Sequence, residues 1–187
     1  MLQKVSSVIL SIAVVLGSAS ALAATDYNKA KLDEIVAKLK ETGTDAALIA
    51  AVNKQNSEHL SMSTINSRDK TWQSTSGLDD LMKSLMSNAA AKRLAQIEKE
   101  NKVIVESFLM DKKGANVAMT NKTSDYWQGD EAKFTKSFNG GKGAVHLGKS
   151  KFDKSAQAYV VQVSVPVVSE GRAIGAITYG INIDDLN

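Results

Sequence analysis

Among 187 residues there is no cysteine and only one proline. Without thiols the chain can form no disulfide, carry no catalytic thiolate and build no cysteine-based metal site, so packing alone must hold it together. Histidine occurs only at His59 and His146, and neither HExxH nor GxSxG is present. These shortages leave no nucleophile or metal constellation. No catalytic residue, metal or cofactor is therefore expected, and the chain does not read as an enzyme. An excess of one charge is also missing: 23 Lys and Arg stand against 20 Asp and Glu. That balance argues against a nucleic-acid partner.

Long apolar runs are missing too, apart from one at the start. Val8 to Leu16 reads VILSIAVVL, follows the lone charge Lys4, and leads through small residues to Ala21-Leu-Ala23. This is the pattern of a cleaved secretory signal, residues 1–23. Its apolar core is far short of the ~20 residues that span a bilayer. The expected mature chain is one domain, residues 24–187, not embedded in a membrane. A cysteine-free exported protein with this leader fits a bacterial periplasm.

The first half has helical spacing. Leu32, Ile35, Val36 and Leu39 recur at i, i+3, i+4 and i+7, with Asp26 as a cap and Gly43 as a stop. Thr44 is the expected cap of the next helix, which holds Leu48, Ile49 and Val52. Ser61 to Ser76 reads as a polar stretch. Leu78, Leu81, Met82 and Leu85 resume the helical spacing, which Leu94 and Ile97 extend to about Glu100.

The second half changes period. Val103 to Met110 and Asn116 to Thr120 flank the turn Asp111-Lys-Lys-Gly114 and predict a hairpin. A short helix is expected from Asp130 to Phe138, stopped by Asn139-Gly-Gly. Strands are expected over 144–147, 159–168 and 173–183. In the strongest of them Tyr159, Val161, Val163, Val165 and Val167 form one apolar face, while Gln162 and Ser164 lie on the other. Glu106 interrupts the first strand in the same way. One sheet face reads as core. The other reads as a lined cavity or a wet surface. The class is α+β, with five antiparallel strands after a helical lead-in.

The stretch TSDYWQGDE, residues 123–131, places Tyr126 and Trp127 side by side among acids, in a chain with two Trp and four Tyr. Two readings are open. The aromatics with Asp125 can cage an ammonium group through an ion pair and cation–π attraction. Alternatively they plug the core, while Asp130 and Glu131 favour the start of the following helix. Ser124 belongs to the same loop. Gly129 reads as the turn that follows, and Gly175 as a point of close packing in the last strand.

SDYWQGDE, together with SVPVV and GRAIGAITYGI further on, resembles the single Cache family, PAS-like sensor domains of the PDC type found outside the bacterial inner membrane. The resemblance covers about residues 26–186. It implies a five-stranded antiparallel sheet with a long N-terminal helical region on one face and a small ligand on the other. Ligand-binding candidates are then Ser124, Asp125, Tyr126, Trp127, Asp130, His146, Tyr159, Gln162, Ser164 and Thr178. His146 has a second reading, a half-exposed strand histidine. In the related double Cache sensors of amino acids an Arg precedes a Trp-Tyr pair. Here no Arg does, so amino-acid specificity does not carry over. The ligand class stays open among amino acids, amines and small carboxylates, with an amine-bearing or small polar metabolite preferred. Relatives sit between membrane spans in chemoreceptors and sensor kinases. No such module follows Asn187, so the expectation is a free-standing periplasmic member whose state a membrane chemoreceptor or sensor kinase reads. The alternative is a ligand-free scaffold for protein–protein contacts.

Overall fold

A computed structural model describes residues 27–154 and 156–186. The expected signal peptide, the mature start at Ala24 and the Asp26 cap lie outside them.

Among the described residues five helices precede the main sheet. Helix α1 (Lys29–Thr42) is capped by Asn28, whose side chain accepts from the Lys31 N–H. Helix α2 (Ala46–Ser57) is capped by Asp45, not Thr44. Thr44 instead donates back to the Glu41 carbonyl. A carboxylate beside free helical N–H groups is the better cap, and Asp45 also holds Arg93 at 2.7 Å. The polar stretch after Ser61 proves to be a helix, α3 (Met62–Ser74). It buries only Ile65 and Trp72, two turns apart, so its apolar stripe is too sparse for periodicity to reveal. The following helical run is two helices, α4 (Asp80–Ser87) and α5 (Ala89–Glu100). Asn88 separates them with ψ 173°, accepts from the Ala91 N–H, and donates to the Val117 carbonyl. That last bond, to a strand, decides the break.

The strands are β1 (Ile104–Met110), β2 (Asn116–Met119), β3 (His146–Leu147), β4 (Lys151–Asp153), β5 (Ala158–Ser169) and β6 (Arg172–Asn182). They form one antiparallel sheet, ordered β2-β1-β6-β5-β3, with β4 also on β5. The expected five strands are thus six among the described residues. β3 and β4 share one outer position: Gly148 still donates to the Gln162 carbonyl, and the chain slips before Lys151 resumes pairing at Val160. Between β2 and β3 lies α6 (Ala132–Phe138), which starts two residues later than expected. Asn139, at φ +50°, ends it.

Val161, Val163, Val165 and Val167 pack with Leu109, Ile177 and Ile181 against Leu32, Leu39, Leu48, Val52 and Leu94 of the helices. Each such side chain contributes about 1.5–3 kcal/mol when fully buried. The second sheet face is divided. Toward β1 it is apolar: Phe108, Met110 and Ala176 join Met119, Tyr126, Phe134, Ile65, Trp72 and Met82 in a second core. Toward β5 it is polar. None of the described helices is long and apolar enough to cross a membrane.

Candidate functional site

The polar half of the second face is built by register. Glu106 on β1 and Gln162 on β5 are both partners of Gly180 on β6, so the three stand in one row across the sheet. Gly180 carries no side chain to divide its neighbours. Glu106 leans across it, and the Gln162 amide donates to Glu106 Oε1 at 3.2 Å. In the next row Ser164 and Thr178, both fully buried, share a hydroxyl hydrogen bond of 2.9 Å. His146 is the partner of Ser164 on the outer strand.

Helix α6 and the β3–β4 strand raise the walls of a cleft of about 570 Å³ over this floor. Lys133 and Ser137, one turn apart, lie on the inner side of α6. The Lys133 side chain is only 12% exposed. Its ammonium pairs with Glu131 at 3.1 Å and lies 5.2 Å from the centre of the Phe108 ring. Ser137 is fully buried and its hydroxyl has no partner. Lys136, Lys149 and Lys151 add positive charge around the mouth. Burial pushes the Glu106 carboxyl above the usual carboxylate range, against the opposing pull of the Gln162 amide and Lys133. Burial, helped by Lys136, lowers His146, which is therefore a neutral acceptor or donor at neutral pH. The arrangement offers one desolvated acid, neutral amide and imidazole groups, and a cationic rim. Among the described residues no group of three or more His, Cys, Asp and Glu side chains is placed to hold a metal.

His146 and Gln162 line this cleft. Ser164 and Thr178 continue the same sheet face. The other candidates lie elsewhere. Tyr159 faces the helical side, partly buried in the first core, with its ring edge-on to Phe152 at 5.4 Å. Tyr126 is fully buried in the second core, 5.7 Å from Trp72, and its hydroxyl accepts from Arg68. Trp127 packs beside it and donates from Nε1 to the Lys113 carbonyl at 2.8 Å. Asp125 turns its carboxylate to the Ser124 hydroxyl at the surface, and its carbonyl accepts from Asn116, Thr123 and Gln128. Asp130 is exposed. Glu131 occupies the cap position of α6 but makes no side-chain capping bond. As far as Gln128 the loop is thus clamped to the protein rather than opened to the cleft, which the stretch meets at Glu131. Asp69 of α3 accepts from both the Tyr126 and Trp127 N–H groups, and Trp72 donates to the Thr123 carbonyl.

Sequence reasoning noted Glu106 as an interruption of an apolar strand but did not place it in a site. Parity was the available signal, since Glu106 and Gln162 are the polar breaks in two strands. Lys133 had no such signal: one lysine among several on a short helix does not show which way it points.

No family model matches the chain, and no curated protein matches it in sequence. Among solved structures it is similar to the sensor domain of the Vibrio cholerae histidine kinase DctB, at 14% identity and TM-score 0.45, over 84% of this chain and 55% of that one. It is similar to the ligand-binding domain of the Campylobacter jejuni chemoreceptor Tlp3 in complex with 4-methylisoleucine, at 14% identity and TM-score 0.42, over 84% and 61%. It is also similar to the ligand-binding domain of the Pseudomonas aeruginosa amino acid chemoreceptor PctC in complex with GABA, at 12% identity and TM-score 0.37, over 83% and 62%. The chain therefore spans 55–62% of the length of these structures.

Proposed function

We propose that this protein is a periplasmic sensor domain of the single Cache type that binds a small polar metabolite and presents its ligand state to a membrane chemoreceptor or sensor kinase. The signal-like leader supports export, with the mature chain beginning after Ala23. The observation that carries the reading is the Glu106–Gln162 pair, set on a sheet face beneath a cleft and flanked by the partly buried Lys133. A desolvated carboxyl with one hydrogen bond to a neutral amide is poised to accept an ammonium or amine group. Such a partner would restore the charged form that burial disfavours. Gln162 and His146 supply further neutral hydrogen bonds. The ligand acid assigned from sequence to Asp125 belongs, in this reading, to Glu106.

A thermal-shift screen of the full chain against amines, amino acids, small carboxylates and purines tests it. A ligand at about 100 times its Kd adds ~2.7 kcal/mol of stability. The shift is expected from an amine-bearing class, and Glu106→Gln should abolish it. If no class shifts the melt, the domain is a ligand-free scaffold. A shift that survives Glu106→Gln would place the ligand elsewhere.

A further inference from the structure

The β3–β4 strand is the outer margin of the sheet, and among the described residues no second strand pairs with residues 146–152 on the side away from β5. Gly148 donates inward to Gln162, so alternation along the strand turns the Leu147 amide outward. An open edge of this kind is an aggregation hazard, which proteins suppress with lysine, irregular pairing and short strands. This margin has all three: Lys149, Lys151 and Lys154, the slip over 148–150, and strands of two and three residues. Suppression does not account for Leu147 and Phe152. They are 41% and 51% exposed, and are two of the four exposed large hydrophobic residues among those described. Protective lysines beside half-exposed apolar groups, of which Phe152 rests edge-on against Tyr159, repel a second copy of the same edge and attract an acidic chain that brings apolar side chains of its own.

We propose that the β3–β4 margin is a docking surface for an extended acidic segment of another protein, which adds to the sheet as a further strand. Outward amide and carbonyl groups would pair with the incoming backbone. The lysines would select its charge, and Leu147 and Phe152 its apolar positions. An anionic membrane surface would also satisfy lysine and phenylalanine, but it makes no use of the outward backbone groups, which an added strand pairs. Leu147, Lys149, Lys151 and Phe152 also border the cleft, but the inference requires no ligand in it.

A fluorescently labelled short peptide of alternating glutamate and valine, titrated into the full chain and read by anisotropy, is the test. Binding is expected, weakening with salt, and falling on the order of tenfold in the Lys149→Glu, Lys151→Glu double variant. The same peptide with every second amide N-methylated should lose a similar factor, because strand addition needs those donors. This comparison uses the unaltered chain and decides the matter even if the double variant does not fold. Equal binding of the methylated peptide would reduce the effect to charge and overturn strand addition. No peptide binding also overturns the proposal. Co-sedimentation with phosphatidylglycerol vesicles would then assign the patch to lipid instead.

Discussion

Glu106 and Gln162 stand two strands apart and are joined by a hydrogen bond of 3.2 Å over Gly180. The contact exists because the residue between them has no side chain. A methyl group at Gly180 would lie 2.5 Å from Glu106 Cγ and 2.9 Å from its Oε1. Gly180→Ala is therefore expected to push Glu106 off the row and to lower stability by about 1–3 kcal/mol, the range for overpacking. Denaturant melts of the two proteins measure it. An unchanged midpoint would show that Glu106 swings aside freely.

Stability should carry the mark of Glu106 in its pH dependence. The folded carboxyl titrates above the ordinary range because it is desolvated. As pH rises past the ordinary carboxylate range, the unfolded chain releases the proton first, while the folded chain still holds it. The folded state then binds more protons, so this group's contribution to stability falls with rising pH. Glu106→Gln removes the effect. The variant should match wild type in acid and gain on it toward neutral pH, as read from melting temperatures across that window. A constant difference at every pH would contradict the assignment.

Asp69 fastens α3 to the loop by accepting from the Tyr126 and Trp127 amides at 2.9 and 3.0 Å. Asp69→Ala leaves both donors without that partner, at about 1–3 kcal/mol for a buried unsatisfied group. Hydrogen exchange at those two amides should accelerate together with a lower melting temperature. Unchanged exchange would mean that other contacts hold the loop.

Gly175 is fully enclosed on β6, where a Cβ would collide with the Met110 carbonyl oxygen and come within 3.0 Å of Val52 Cγ1. Gly175→Val is expected to destabilise the fold by at least the ~1–3 kcal/mol of an overpacked core. Backbone oxygen cannot move aside as a side-chain tip can. Thermal denaturation with wild-type stability would show that the β1–β6 pairing opens there without cost.

Trp127 is a packing residue with its Nε1 tied to the Lys113 carbonyl. Trp127→Ala should cost about 3 kcal/mol, the lower end for a buried aromatic, because its ring is partly exposed. Tyr126→Phe should cost only ~0.5–1.5 kcal/mol, since it keeps the ring and loses the bond from Arg68. Urea melts rank the two. A larger loss in Tyr126→Phe would mean that the Arg68 contact, rather than packing, holds the loop.

Periodicity told most of the first core in advance. The odd residues of β5 face the helices, because side chains alternate along any strand whatever its neighbours. The Asp111–Gly114 turn and the stop at Asn139 were likewise legible, since both depend on backbone preferences a few residues wide. The α+β class followed from the change of period near residue 103.

The site itself was decided by tertiary structure. Glu106 and Gln162 are 56 residues apart and meet only through the register of β1 and β5 on β6, which no local pattern encodes. Trp72, in a helix too sparsely apolar to be read as one, reaches 51 residues along the chain to the Thr123 carbonyl. It thereby joins Tyr126 instead of standing apart in the helical half. Composition drew attention to the acidic aromatic loop, since scarce residues clustered there. Which face of the sheet that loop covers, and so whether its aromatics meet core or cleft, depends on long-range contacts with α3. Local sequence determines which side a residue can face. Only the assembled chain determines what it finds there.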